Sequence, residues 1–554
     1  MPRVWVARRV AIVPKVCLRV GGVASVREAA YDLLRARGMT TVFGNPGSTE
    51  LPMLREFPGD FRYVLALQEA VAVGMADGYA QASGTVGHVN LHTAPGVGNG
   101  MGAIFNAQAN HTPLLVTAGQ QARSLITLQA NLTNRDATRM PHPLVKSSFE
   151  PPRAADVPLA LGRAIQLADT PAKGPTFLSI PMDDWDAEVD PGDVRAAIGR
   201  SASSRTAPDP AAIEALANAL AEASSPVFVA GPDIDASGAW DAAVELVEKQ
   251  RLPVFAAPAT GGGRIGFPES HANFRGYLPP AIGPVAETLK GYDLILVVGS
   301  SVFPYYPNIP GPLLPEGARL VQITSDPDEA ARAPMGDSIL GDPRLALEDL
   351  AARPGHPDRD PGEPPPDPVA GEEQRPITGT AAMHALAAAF PGDGIAVLEA
   401  PSSTLAFRHQ LRISRPGSYF FGAGGGLGFG LAAAVGVQLA QPGRPVVCVV
   451  GEGSAHYAIT ALWSAVAYDI PITVLVLRNS EYAILKWFAE MEQVEGAPGL
   501  DLPALDTAAV AAAYGVTARR AESADELREE LTRAIASPRP GLVEVGVAPG
   551  MWLF

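Results

Sequence analysis

Cysteine is nearly absent: only Cys17 and Cys448 occur among 554 residues, so no disulfide framework organises the chain and a reducing, cytoplasmic setting is expected. Positive charge is in deficit, with 42 Lys and Arg against 58 Asp and Glu, a net charge of −16 and a pI near 5.1. That balance argues against a nucleic-acid or anionic-membrane partner, since both need clustered positive charge. Long uncharged runs are also scarce. The segment Phe420 to Ala440 is long enough for a bilayer, but its front half is glycine-rich and reads as a loop against a ligand followed by a buried helix, not as a membrane span. The first 24 residues carry Arg3, Arg8, Arg9, Lys15 and Arg19 with no acid, yet lack the apolar core of a secretory signal, and read as an unordered extension or an overcalled start.

What the chain does hold is 47% hydrophobic residues against 18% charged, over a length sufficient for three domains with their own cores. The expected division is a basic extension at 1–24, a first domain at 25–203, a middle domain at 204–352, a Pro-rich acidic linker at 353–376 and a final domain at 377–554. Short apolar, β-branched runs alternate with helical patterns throughout. Strands are expected at Thr41 to Phe43, Tyr63 to Leu67, His88 to Leu91 and Leu114 to Ala118, then in the middle at Val227 to Ala230, Pro253 to Ala256, Leu294 to Val298 and Leu320 to Ile323. The fold class is therefore α/β, three parallel-sheet α/β domains. The middle sheet has no G-x-G-x-x-G after a strand, so no dinucleotide is assigned there.

The chain is organised around Val446 to Trp487, an apolar run stopping at Gly451-Glu452-Gly453-Ser454, a periodic helix, and a second run, Ile472 to Leu477, stopping before Asn479. In such a βαβ unit polar groups at strand carboxyl ends face one point. A carboxylate and an amide oxygen there suit a hard cation such as Mg²⁺, which fills its other positions with phosphate and water. In the first domain Ser48, Glu69 and His92 each follow a strand, so three polar groups line one sheet edge. Taken singly, Ser48 also reads as a helix cap, Glu69 as a dipole partner and His92 as a structural histidine.

These residues resemble thiamine-diphosphate enzymes, and the match runs nearly the whole chain from Ser25. It is carried by F-G-N-P-G-S-x-E-L-P, L-A-L-Q-E-A, N-L-H-T-A, T-A-G-Q-Q, A-R-A-P-M-G-D, G-G-L-G-F and P-G-L-D-x-P, which look most like the benzoylformate decarboxylase group. The resemblance implies pyrimidine-binding, middle and diphosphate-binding domains, thiamine diphosphate as cofactor, and Glu452, Asn479 and the main chain of Glu481 as ligands of Mg²⁺, with Ca²⁺ or Mn²⁺ as alternatives. It implies that Glu69 activates the aminopyrimidine, Ser48 binds the substrate carboxylate and His92 acts as acid and base. It places Ser402, Gly425, Leu427, Gly453, Ser454 and Tyr482 against the cofactor, Leu427 propping its bent form. It puts Asn131, Leu132, Phe421, Phe488 and Leu500 in an aryl pocket. The implied reaction is non-oxidative decarboxylation of an aromatic or bulky 2-oxo acid to an aldehyde and CO₂, in a dimer or tetramer whose chains share active sites. Carboligation of the acyloin-forming or acetolactate-synthase type, and cofactor binding without turnover, are the alternatives. The sequence departs from the family pattern at Glu452, where the family has Asp, at Arg478, where it has Asn, at Tyr306, where an ungapped reading puts a second catalytic His, and at Asn131, which replaces a pocket Leu.

Overall fold

A computed structural model describes residues 24–258, 263–372 and 374–551. Three six-stranded sheets form the frame, and every neighbouring pair within them is parallel. The expected three parallel-sheet α/β domains are present. The basic extension, except Ala24, lies outside the described residues, as does Cys17; Ala24–Ser25 already forms a short strand paired with Glu188–Val189.

In the first sheet the spatial order is Arg62–Leu65, Thr41–Gly44, Gly87–Leu91, Leu114–Gln120, Thr176–Pro181, Ser147–Phe149. The final sheet runs Tyr419–Phe421, Ile395–Glu399, Val446–Gly451, Thr473–Arg478, Gly541–Gly546, Thr517–Ala521. Numbered along each sheet, both follow 2-1-3-4-6-5, whereas the middle sheet follows 3-2-1-4-5-6. The first and final domains thus share one topology, and in each the order reverses between its first and third strands. At such a switch point the flanking loops diverge and leave a crevice beyond the strand ends.

The structure adds strands that the apolar pattern does not single out. Tyr419–Phe421 is an edge strand inside a stretch read as loop, and Thr517–Ala521 is a polar edge strand in which Ala521 alone is buried. The helix expected after Ser454 is two helices, Glu452–Tyr457 and Ala461–Ala467, because the chain leaves helical dihedrals at Ala458 (φ −130°, ψ 23°). The linker carries no helix or strand among its described residues, yet it is tied down: Gln250 donates to the Pro354 carbonyl (2.8 Å) and Arg275 to that of Pro361 (2.7 Å).

The helix Phe429–Ala440 has ten buried residues and packs along Glu69–Ser83. Its buried Leu431, Val435 and Val437 each contribute about 1.5–3 kcal/mol on removal from water. Two glycines permit the close approach. A Cβ on Gly436 would lie 1.9 Å from the Met75 carbonyl oxygen, and one on Gly78 would lie 2.2 Å from that of Ala433. Arg264 joins all three domains: it pairs with Asp235 (2.8 Å), donates to the Gln81 carbonyl (2.6 Å) and lies 4.9 Å over the Phe420 ring. No helix among the described residues is long and apolar enough to cross a membrane.

Candidate active site

At the switch point of the first sheet, the loop after Thr41–Gly44 folds over the end of Gly87–Leu91. Glu50, 1% exposed, is its hub. One carboxylate oxygen accepts from the Gly47 N–H and faces His92 Nδ1, both at 2.8 Å; the other accepts from the Gly119 N–H (2.9 Å) and the Thr49 hydroxyl (2.8 Å). An acceptor at Nδ1 favours the tautomer with the proton there, leaving Nε2 as the outward nitrogen. Gly47 is required by this packing, since a Cβ would lie 2.1 Å from His92 Nδ1.

Glu69 opens the helix Glu69–Ser83, whose N-cap is Gln68, and is itself 8% exposed. Its two oxygens accept from the amides of Asn45 (3.3 Å) and Asn99 (3.0 Å). It lies beside His92: a Cβ on Gly96 would meet Glu69 Cγ at 3.5 Å and His92 Cβ at 3.2 Å. Ser48 is exposed on the same loop and caps nothing, since the N-cap position of Leu51–Leu54 is Glu50.

The final sheet's switch point opens into a cavity of about 380 Å³. Glu452, Gly453, Ser454, Asn479, Glu481, Tyr482, Ser402, Gly425, Leu427, Phe421 and Phe488 all line it, as does Tyr306 from the middle domain. Its lining combines two chemistries: oxygens at Glu452, Asn479 and Ser454, and apolar side chains at Phe421, Ile484, Leu485 and Phe488, with the Tyr306 ring 4.7 Å from that of Phe488. Glu452 is 1% exposed, and burial pushes its carboxyl above the usual range against the pull of backbone N–H groups. Its extra methylene bends back so that one oxygen accepts from the Ser480 N–H (2.5 Å). Arg478 turns away toward Glu544, with Nε 3.4 Å from the carboxylate.

Residues on the first domain do not line this cavity. Glu69, His92, Ser48, Asn131 and Leu132 stand outside it, and Asn131 is exposed in the single chain, not a buried amide. Leu500 is also outside, though its carbonyl accepts from the Tyr482 N–H (2.8 Å) and holds the segment against the Asn479 loop.

Three family models match in order: the N-terminal binding domain of thiamine pyrophosphate enzymes over residues 24–140, their central domain over 213–350 and their C-terminal binding domain over 401–545. A benzoylformate decarboxylase of Pseudomonas aeruginosa is 50% identical over 527 residues, 94% of this chain and 98% of that protein. The chain belongs to the thiamine pyrophosphate enzymes. Among solved structures of this family, a 4-hydroxybenzoylformate decarboxylase of Rhodococcus jostii RHA1 superposes with a TM-score of 0.92 at 45% identity, over 95% of this chain and 99% of that one. A benzoylformate decarboxylase of Polynucleobacter necessarius superposes with a TM-score of 0.91 at 38% identity, over 96% and 100%.

The residues fit the cofactor of these enzymes. The cavity brings together oxygen groups, among them a buried carboxylate with no ion pair among the described residues, and apolar and aromatic side chains. Sequence reasoning missed Glu50, Thr49, Asn45 and Asn99 around Glu69 and His92 in the first domain. A signal existed for Glu50, which follows Gly47 by three positions and so can close a local turn onto its N–H.

Proposed function

We propose that this enzyme decarboxylates an aromatic 2-oxo acid of the benzoylformate class, without oxidation, to an aldehyde and CO₂. The observation that carries the reading is the cavity lining, in which the oxygen groups of Glu452 and Asn479 share one space with the aromatic rings of Phe421 and Phe488. Because the first-domain groups stand outside it, the site is completed by a second copy, whose Glu69, His92 and Ser48 cover the cavity in a dimer or a tetramer. Bound there, thiamine diphosphate would supply a thiazolium, the electron sink that decarboxylation of a 2-oxo acid needs. The chain's residues do the rest. Glu69 would hydrogen-bond the aminopyrimidine as its proton partner, Ser48 would bind the substrate carboxylate, and His92, held at Nδ1 by Glu50, would present Nε2 to donate and accept protons. Leu427, Gly425, Gly453, Ser402 and Tyr482 shape the cofactor bed. Glu452, Asn479 and the Glu481 carbonyl would hold the divalent ion, Mg²⁺ or its substitutes Ca²⁺ and Mn²⁺. Product analysis with phenylglyoxylate alone and with added aldehyde tests this: benzaldehyde and CO₂ are expected, whereas acyloin as the main product, or no turnover, would overturn it.

The metal preference follows from Glu452. A carboxylate already bent onto the Ser480 N–H offers one oxygen to an ion, and Mg²⁺ tolerates displaced ligands less well than Ca²⁺ or Mn²⁺. Glu452→Asp is expected to tighten Mg²⁺ binding about tenfold, within the 10–100-fold effects usual for changes around metal ligands. Titration of apo-protein with each ion checks it; Mg²⁺ clearly preferred by wild type, with no gain in the variant, would refute it.

Substrate preference depends on Tyr306 and Asn131. Tyr306 is 57% exposed at the cavity wall, so its phenol can reach a substrate and donate a proton. Asn131 of the second copy offers an amide to a polar ring substituent. Leaving that amide unpaired costs about 1–3 kcal/mol, so Asn131→Leu is expected to shift the kcat/KM ratio of 4-hydroxyphenylglyoxylate to phenylglyoxylate about tenfold toward the unsubstituted acid. Tyr306→His is expected to speed decarboxylation of both. An unchanged ratio sinks the first expectation, and an unchanged rate sinks the second.

A further inference from the structure

The glycine-rich loop Gly422 to Gly428 connects the edge strand Tyr419–Phe421 to the buried helix Phe429–Ala440 and carries Leu427 into the cavity. Such a loop has little side-chain packing to fix it, yet both peptides beside Leu427 are held. On one side, Asn106 from the first domain, 2% exposed, accepts from the Gly426 N–H (3.0 Å) and donates to the Gly426 carbonyl (2.7 Å). On the other, Glu399, 4% exposed at the end of Ile395–Glu399, accepts from the N–H groups of Gly428 (2.6 Å), Phe429 (3.3 Å) and Gly430 (2.8 Å). These are the unpaired donors of a helix start that has no side-chain cap of its own. Burial pushes the Glu399 carboxyl up to about 7, while the same three N–H groups pull it down. A buried carboxylate without a cation is costly and is retained here by those donors. The Cys448 thiol is its titratable neighbour, raised in turn by burial and by the Glu399 charge.

We propose that Glu399 and Asn106 are positioning residues that clamp the main chain on either side of Leu427 and so set how far that side chain projects into the cavity. The two grips come from different domains, so the height of Leu427 is fixed relative to both sheets, not by its own loop. The functional consequence rests on the reading of Leu427 as the prop of the cofactor's bent form; the clamp itself does not. Glu399→Gln keeps the shape but turns an amide donor toward backbone donors, and Asn106→Ala removes the other grip.

Two readouts separate the clamp from the prop. Hydrogen exchange of apo-protein is expected to quicken about tenfold at Gly426 in Asn106→Ala and at Gly428 and Gly430 in Glu399→Gln, the equivalent of one net hydrogen bond at each. In holoenzyme, proton exchange at C2 of the bound cofactor is expected to slow about tenfold in either variant, but by less than about twofold when the change is made in a Leu427→Ala background, because the residues act through Leu427. Amide exchange left unchanged overturns the clamp. C2 exchange that falls equally with and without Leu427 overturns the positioning role. Leu427→Ala that leaves C2 exchange intact overturns the cofactor reading of Leu427 while the clamp stands on the amide data. If Glu399→Gln does not fold, Asn106→Ala carries the same test from the other side.

Discussion

Replacing Glu69 by Gln leaves the fold in place and slows C2 proton exchange of bound thiamine diphosphate about 100- to 10,000-fold, the range expected when a positioned acid or base is removed. The helix it opens does not depend on it, because Gln68 supplies the cap by accepting from the Val71 N–H (3.2 Å). The carboxylate's surroundings are built for an acceptor. Asn45 and Asn99 each present an amide donor to it, and at 8% exposure it is shielded from water. A Gln side chain can satisfy one of those amides with its carbonyl but turns its own amide toward the other, which costs some stability. It also cannot hand a proton to a pyrimidine nitrogen. Cofactor affinity is therefore expected to change far less than exchange. NMR of C2 exchange, beside a binding isotherm, checks both; exchange undiminished in the variant would remove Glu69 from the role.

The positions that were legible in the sequence share one property: each follows an apolar run that ends abruptly. Glu69, His92, Glu452 and Asn479 lie beyond the carboxyl ends of parallel strands, and the structure brings Glu69 beside His92 and lines one cavity with both Glu452 and Asn479. What periodicity could not show depends on pairing across the fold. Thr517–Ala521 reads as surface because its Arg519 and Arg520 are polar; it becomes a strand by pairing with Gly541–Gly546, where Arg520 meets Glu544. Asn106 and Gly426 are 320 positions apart, and nothing local to either announces the bond. The longer Glu452 was legible as a departure from the family pattern, but its direction was not, since the Ser480 N–H that turns it back lies across a helix pair. Asn131 could be placed by resemblance only, and in the single chain it is exposed.

Glu50→Gln is expected to lower kcat/KM about 100-fold without unfolding the protein, and to do so through His92. The two groups are 42 positions apart and meet at 2.8 Å across the first switch point. With Glu50 as a carboxylate, Nδ1 keeps its proton and an imidazolium formed in turnover has an anionic partner. A Gln amide rotated to place N–H toward the ring would favour the other tautomer, moving the proton to Nε2, and would offer no charge to the imidazolium. The remaining carbonyl can accept from the Gly119 or the Gly47 N–H but not from both, so about 1–3 kcal/mol of stability is expected to go with it. That loss alone would lower the amount of folded enzyme and leave the shape of the pH–rate profile unchanged. A role through His92 changes the shape, and it also disappears when the histidine is gone: in a His92→Ala background Glu50→Gln should reduce kcat/KM by no more than about twofold. Additive losses in the double variant, with an unaltered profile, would make Glu50 a structural anchor of the loop and return the acid and base work to His92 unaided.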